Sequence, residues 1–302
     1  MPDPFEALRT APTPIDPDPA FAARLRARVA RGLSPTPEGE HHMTLEATET
    51  AEQLRQGDIS YMSLWVRDLA RATAFFPAVL GWRLTSAPGD GGPVVGGLPV
   101  SHGMAALNEV DAYLAQLGLS VGQPLEPTVF LSFLVDDIRA AVDRVRTAGG
   151  QVAAIEDRPY GALAMCVDDQ GMPFAVHALP PDASAPRPPV AAAHAGEVAY
   201  VTIQTVDDAR ARAFFGAVLG LQFSPGSVER GWNIPEIVPM SGLSGGHPAA
   251  RVVPMYRVDD IAAAVLRVRE LGGQATNPAQ QRYGITADCE DGQGTRFYLG
   301  QF

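Results

Sequence analysis

The sequence predicts an α+β protein of two tandem domains, each built from paired β-α-β-β-β motifs, and three observations predict it. The stretch Tyr61 to Trp82, YMSLWVRDLARATAFFPAVLGW, returns as Tyr200 to Leu221, YVTIQTVDDARARAFFGAVLGL. Self-similarity on this scale means two copies of one folding unit. Later markers return in the same order: Val135-Asp136-Asp137-Ile138 as Val258-Asp259-Asp260-Ile261, Gly149-Gly150 as Gly272-Gly273, Tyr160-Gly161 as Tyr283-Gly284, Cys166 as Cys289, and Gly171 as Gly294. Within each copy, alternating apolar positions give way to apolar residues three and four apart, which is the change from strand to helix. The offset between copies is 139 residues at Asp68 and Asp207 but 123 at Asp137 and Asp260, so the first copy carries an insertion of about 16 residues. It falls between the Gly-rich run at 89–97 and Thr128, and Ala105 to Leu117, which reads as helical, is the candidate for the extra piece.

Taken in order, residues 1–57 read as an N-terminal extension. A helix is expected over 19–33, with Asp18 as N-cap, Pro19 at the first helical position, Phe21, Leu25 and Val29 every fourth residue, and Gly32 as the stop. Ser34 to Gln56 is polar linker, and His41-His42 beside Glu38 and Glu40 belong to a solvated tail. The first domain is expected over 58–180. Ile59 to Val66 alternates Met62, Leu64 and Val66 against Tyr61, Ser63 and Trp65. Asp68 caps a helix whose stripe is Ala72, Phe75, Phe76, Val79 and Leu80, ended by Gly81. Strands are expected at Trp82–Thr85, near Val94, and at 130–135, then a helix over 138–148 and strands at 151–155, 162–167 and 174–178. A Pro/Ala-rich linker covers 181–195, and the second domain covers 196–302, with helices at 209–219 and 261–271 and a last strand at 296–300.

Composition narrows the function classes. A net charge of −11 excludes the basic footprint that nucleic-acid binding needs. It suits a cationic ligand through long-range steering. The chain has no lysine, which removes Schiff-base chemistry and a Walker-A loop. No apolar run approaches the length of a membrane helix, and MPDPFEALRT has no secretory pattern, so a cytoplasmic protein is expected. Cys166 and Cys289, one per copy, read as small core residues rather than a disulfide or zinc site.

The ordered set of strand, Asp, helix with Phe-Phe and Val-Leu-Gly, then Val-Asp-Asp-Ile to Gly-Gly and a terminal Asp-x-x-Gly turn, occurring twice, resembles the vicinal-oxygen-chelate superfamily of glyoxalases, bleomycin-resistance proteins and extradiol dioxygenases. The resemblance implies strands curled into a U-shaped cleft with helices outside. It also implies, in catalytic members, a divalent metal held by His and Glu on the cleft faces. Carried over one at a time, those ligand positions fall on Tyr61, Phe130 and Ala175 in the first copy and on Tyr200, Val253 and Tyr298 in the second. None is a His or a carboxylate. Only a two-residue slip on the last strand brings in His177, alone. No cofactor is therefore expected, with a divalent metal as the alternative.

Aromatic and polar side chains replace the ligands. The candidate ligand-binding set is Tyr61, Ser63, Trp65, Phe130, Ser132 and His177 in the first copy and Tyr200, Thr202, Gln204, Met255, Arg257, Arg296 and Tyr298 in the second. Trp232, in GWNIPEIV, is expected as a flap ring or surface anchor, and His102 near the mouth of the first cleft. Apolar walls with a few polar groups describe a small-molecule site, while the plainer reading is that the rings fill vacated space. The expected function is a metal-free small-molecule binding protein that sequesters or carries an aromatic or cationic compound. One alternative is a divergent glyoxalase-like lyase or dioxygenase, or a catalyst using His102, His177 or tyrosines as acid and base. The other is an interaction module, monomeric or a homodimer through the helix at 19–33.

Overall fold

The structure, a computed structural model, describes residues 52–86, 92–192 and 194–302. The helix expected at 19–33, with its docking or dimerising role, lies outside the described residues.

Both copies open alike. β1 (Ile59–Val66) leads to α1 (Leu69–Leu80), then β2 (Arg83–Ser86), β3 (Pro93–Gly96) and β4 (Ser101–Ala106). An extra helix, α2 (Leu107–Gln116), follows in the first copy. The second motif is β5 (Thr128–Leu134), α3 (Ile138–Thr147), β6 (Gln151–Val152), β7 (Glu156–Arg158), β8 (Gly161–Val167) and β9 (Pro173–Ala178). The second copy runs β10 (Val198–Gln204), α4 (Asp208–Leu219), β11 (Ser224–Pro225), β12 (Gly231–Ile234), β13 (Ser241–Ser244), β14 (Arg251–Arg257), α5 (Ile261–Glu270), β15 (Gln274–Ala275), β16 (Ala279–Gln281), β17 (Gly284–Glu290) and β18 (Arg296–Gln301). Of the strand expected over 151–155 only β6, residues 151–152, forms; β7 follows beyond it, and both pair with β8.

The same device starts the four repeated helices. The carboxylates of Asp68, Asp137, Asp207 and Asp260 accept backbone N–H groups of the first turn at 2.9–3.1 Å. Gly81 and Gly220 end α1 and α4 with φ of 72° and 75°, a left-handed conformation that a side chain would strain.

Each copy forms one nine-stranded sheet, ordered β2-β3-β4-β1-β5-β9-β8-β6 and β11-β12-β13-β10-β14-β18-β17-β15, with β7 and β16 pairing β8 and β17. The central pairs β1–β5 and β10–β14 are antiparallel, so the two motifs of a copy join edge to edge. The helix-facing sides of both sheets share one apolar core. Phe75 and Phe76 of the first copy meet Phe297 of the second at 6.1 and 5.5 Å, and Phe214 and Phe215 meet Phe174 in return at 5.9 and 5.7 Å.

Polar clamps repeat the same exchange. Gln293 accepts from the Asp68 N–H (2.6 Å) and donates to its carbonyl (3.2 Å), while Gln170 does both to Asp207 (2.8 and 3.0 Å). Arg144 donates to the Val218 carbonyl and Arg267 to that of Ala78. The linker is tied in by Arg187, whose Nε lies 2.8 Å from the buried Asp58 carboxylate.

Candidate functional site

Strand alternation settles which side chains face away from the helices. In the first copy these are Tyr61, Ser63 and Trp65 on β1, Phe130 and Ser132 on β5, Met165 and Val167 on β8, and Ala175 and His177 on β9. α2 lies across them. Its Leu107, Val110 and Leu114, with Leu119 beyond it, make a second apolar cluster with Trp65, Phe130, Met165, Val167 and Ala175. Trp65 stacks on Phe130 with ring centroids 4.7 Å apart and planes at 14°. Ser63, Ser132 and His177 are buried. His177 is tethered, its Nε2 donating to the Tyr160 carbonyl (3.0 Å) and its Nδ1 3.3 Å from Ser60 Oγ. The inserted segment is thus a plug, and the aromatic candidates of the first cleft pack as core beneath it.

Two expected site residues lie on the other side of their sheets. His102, expected at the mouth of the first cleft, pairs with Met62 and shares its helix-facing side. It is buried between Trp82 and Tyr256, with ring centroids at 5.0 and 5.9 Å. Nδ1–H donates to the Gly103 carbonyl (3.1 Å) and Nε2 accepts from the Tyr256 hydroxyl (2.9 Å). Burial lowers its pKa to about 4, so the ring is neutral. Trp232, expected as a flap ring or surface anchor, pairs with the core residue Leu243 and faces α4. Its indole N–H donates to Asp208 (2.9 Å) and Arg212 stacks on its ring at 3.6 Å. It is an anchor and does not reach the cleft.

The second copy has no counterpart of α2, and among the described residues no helix lies across its cleft face, although Val253, Met255, Gln204 and Thr286 are buried there. β10 presents Tyr200, Thr202 and Gln204, and β14 presents Arg251, Val253, Met255 and Arg257. β17 presents Thr286, Asp288 and Glu290, and β18 presents Arg296 and Tyr298. Tyr200, Thr202 and Tyr298 are half-buried, while Asp288 and Arg296 reach solvent. Arg257 lies at one end, 3.5 Å from Asp259. Position by position, the apolar lining of the first cleft is exchanged for polar and charged groups. Trp65, Thr128, Met165, Val167 and Pro173 stand where the second copy has Gln204, Arg251, Asp288, Glu290 and Arg296. Tyr61 and Tyr200 are common to both, and each lays its hydroxyl over a glycine of the next strand, Gly103 or Gly242, where a Cβ would collide with it.

Electrostatics distinguish this face further. Burial, with the Asp288 carboxylate next, pushes the Tyr298 pKa up to about 12. Burial and then Tyr283 do the same to Tyr200. Both phenols therefore stay protonated and can donate. Asp288 pairs with Tyr298 across the strands, and its pKa is raised by the desolvation of its surroundings, against the pull of Arg296. Arg251, Asp288 and Glu290 were not among the sequence candidates. Comparing the two copies at a constant offset of 123 residues would have found them.

The family model described as Glyoxalase/Bleomycin resistance protein/Dioxygenase superfamily matches residues 58–176. The anthracycline biosynthesis protein DnrV of Streptomyces peucetius is 30% identical over 262 residues, which is 80% of this chain and 92% of that one. The chain belongs to the glyoxalase/bleomycin-resistance/dioxygenase superfamily. Solved members share the fold. The 2,3-dioxygenase LapB of Pseudomonas sp. KL28 superposes with a TM-score of 0.58 at 12% identity, covering 82% of this chain and 93% of its own. The Mn(II)-bound glyoxalase of Novosphingobium aromaticivorans gives 0.57 at 15% identity, covering 83% of each.

A divalent ion, which the superfamily implies, does not fit the residues present. The carried-over ligand positions hold Tyr61, Phe130 and Ala175, and Tyr200, Val253 and Tyr298, two rows of rings and hydrocarbons. Among the described residues no group of three or more His, Cys, Asp or Glu is placed to hold a metal ion. The thiols offer none either, since both cysteines are buried and their pKa values are pushed up to about 12.

Proposed function

We propose that the second cleft binds a small planar aromatic compound without a metal held at the superfamily's ligand positions, and that the first cleft is scaffold. The observation that carries this reading is the contrast between the copies: one cleft is apolar and plugged by a helix, the other is polar and charged with no described helix across it. Tyr200 and Tyr298 supply rings and hydroxyl donors, Met255 an adaptable apolar floor, and Thr202 and Gln204 the orienting polar groups. The relative named for anthracycline biosynthesis supports a flat aromatic ligand, since anthracyclines are polycyclic aromatics.

Equilibrium dialysis of the full chain against a panel of planar aromatics tests it. Binding that disappears in Tyr298→Ala and persists in Trp65→Phe is the expected result. Binding that survives both Tyr298→Ala and Tyr200→Ala overturns the placement. Stoichiometric metal retained after dialysis overturns the metal-free part.

A second reading, an acid–base enzyme, rests on Asp288. A carboxyl group with a raised pKa, beside a tyrosine in an open cleft, is suited to take a proton from a bound phenol or carbon acid. Under that reading Asp288→Asn keeps ligand binding and abolishes turnover.

A further inference from the structure

We propose that Arg251 and Arg296 form an anion-binding subsite at one end of the second cleft, and that the ligand is an aromatic carboxylate whose ring reaches Tyr298. The proposal rests on the second cleft taking a ligand and adds its charge and orientation.

Arg251 opens β14 opposite Gln204, which in turn pairs with Ser244 of β13. His247 extends the row, its Nε2 3.0 Å from Ser244 Oγ. Arg296 opens the adjacent β18. Arg251 is half-buried, yet it is in none of the ion pairs among the described residues. The two acids nearest it are otherwise engaged: Glu126 pairs with Arg67, and Glu290 is 3.8 Å from Arg296. Burial and the like charge of Arg296 press the Arg251 pKa down, and burial, then Arg251, Arg296 and Arg230, do the same to His247. Positive charge is thus gathered at this end of the cleft, with Glu126 and Glu290 offsetting it only in part and no ion-pair partner for Arg251 among the described residues.

The fold does not require these cations. The first copy places Thr128 and Pro173 at the same positions. A half-buried guanidinium without an ion-pair partner, such as Arg251 beside the like charge of Arg296, is unfavourable unless a partner arrives. A carboxylate is the partner that a guanidinium fork grips best. Tyr298 follows Arg296 by two residues on β18, about 6.5 Å along the strand, roughly the span from a carboxylate carbon to the far edge of two fused six-membered rings. The chain's net charge of −11 would favour a cation at long range. At contact distance the local groups decide, because charges beyond about 8 Å are screened at physiological salt.

The test uses 2-naphthoate and its neutral isostere 2-naphthamide, measured by equilibrium dialysis on the full chain at low and high salt. Naphthoate should bind at least about ten-fold more tightly than the amide, the scale of a charge-assisted hydrogen bond, and lose that advantage in salt. Arg251→Gln and Arg296→Gln should each bring the two probes close together, and Arg251→Lys should keep part of the preference. Arg251→Gln should not melt below the wild type, since it removes a charge that has no ion-pair partner among the described residues, while Arg296→Gln also gives up its 3.8 Å contact with the partly exposed Glu290 and should melt only slightly lower. A variant that unfolds refutes that assignment. Equal binding of the two probes to the wild type, abolished by Tyr298→Ala, refutes the anion subsite and leaves the cleft reading intact. Binding of neither probe refutes both.

Discussion

Trp65 decides whether the first cleft is core or binding site. Its side chain is 4% exposed, stacks on Phe130 at 4.7 Å, and lies beneath Leu107, Val110 and Leu114 of α2. Truncating a buried ring of this kind costs about 3–5 kcal/mol, because the transfer energy is lost and the cavity left behind collapses only in part. That is a large fraction of the roughly 5–15 kcal/mol available to a domain, and for a unit of this size it lowers the melting point by about 10–15 °C. Tyr298 in the second cleft is half-buried, and its truncation should cost about 1 kcal/mol by the area it covers. Urea unfolding and calorimetry of Trp65→Ala and Tyr298→Ala, read beside dialysis with the naphthoate probe, separate the roles. The first should lose stability and keep binding, the second the reverse. A Trp65→Ala chain within about 1 kcal/mol of wild type would refute the packed first cleft.

Three further outcomes follow from the same contacts. His102 has a pKa of about 4 against 6.5 when unfolded, so below pH 6.5 the unfolded chain takes up a proton that the folded chain refuses. Stability is lost as pH falls towards 4, about 3 kcal/mol in all. Asp168, raised to about 6 by burial, pulls the opposite way from pH 6 to 3.8 in the wild type and in His102→Gln alike. His102→Gln should therefore lose about 2 kcal/mol less than wild type between pH 7 and 5 by denaturant titration, and equal slopes would refute the neutral core histidine. Gln170→Ala and Gln293→Ala, the two halves of one symmetric clamp, should each cost about 1 kcal/mol and add in the double variant. Deleting residues 107–119 should leave the first cleft bare and the chain prone to aggregate, seen by light scattering, because three buried apolar side chains of α2 contribute about 5–8 kcal/mol.

Much of this was legible in the residues. Period-two alternation placed Tyr61, Ser63, Trp65 and Tyr200, Thr202, Gln204 on the faces where they lie, and the four aspartates marked their helices. The extra segment and its helical character followed from the change of offset between copies. Its destination did not, since the apolar stripe Leu107, Val110, Leu114 says that a helix buries one face, not against what. β4 and β13 were missed because SHGMAA and SGLS are short, glycine-containing and without clean alternation. That is why His102 was assigned to the wrong side: without its pairing to Met62, nothing in the sequence fixes its parity. Trp232 stayed undecided between a flap ring and an anchor for a related reason, because its partner Asp208 is 24 residues away. The charged lining was visible in principle, but only by aligning the copies residue by residue.

The asymmetry of the two clefts has a physical logic. A sheet curled into a cleft exposes one face, and two copies double that exposed area. The first copy resolves it with a helix, after which ring-on-ring packing such as Trp65 on Phe130 is favourable and a charge at Met165 or Val167 would be buried without a partner. The second copy lacks the helix, so the same positions can hold Asp288 and Glu290, and apolar side chains there would lie open to water. Plug and lining therefore depend on each other. A chain with charges under α2, or with hydrocarbons and no α2, would be less stable than either arrangement found here. The loss of metal donors is a separate matter, because it affects both copies while the plug affects one. Tyrosine hydroxyls, the Asp288 and Glu290 carboxyl groups and guanidinium groups are the polar chemistry carried by the strands of the second cleft.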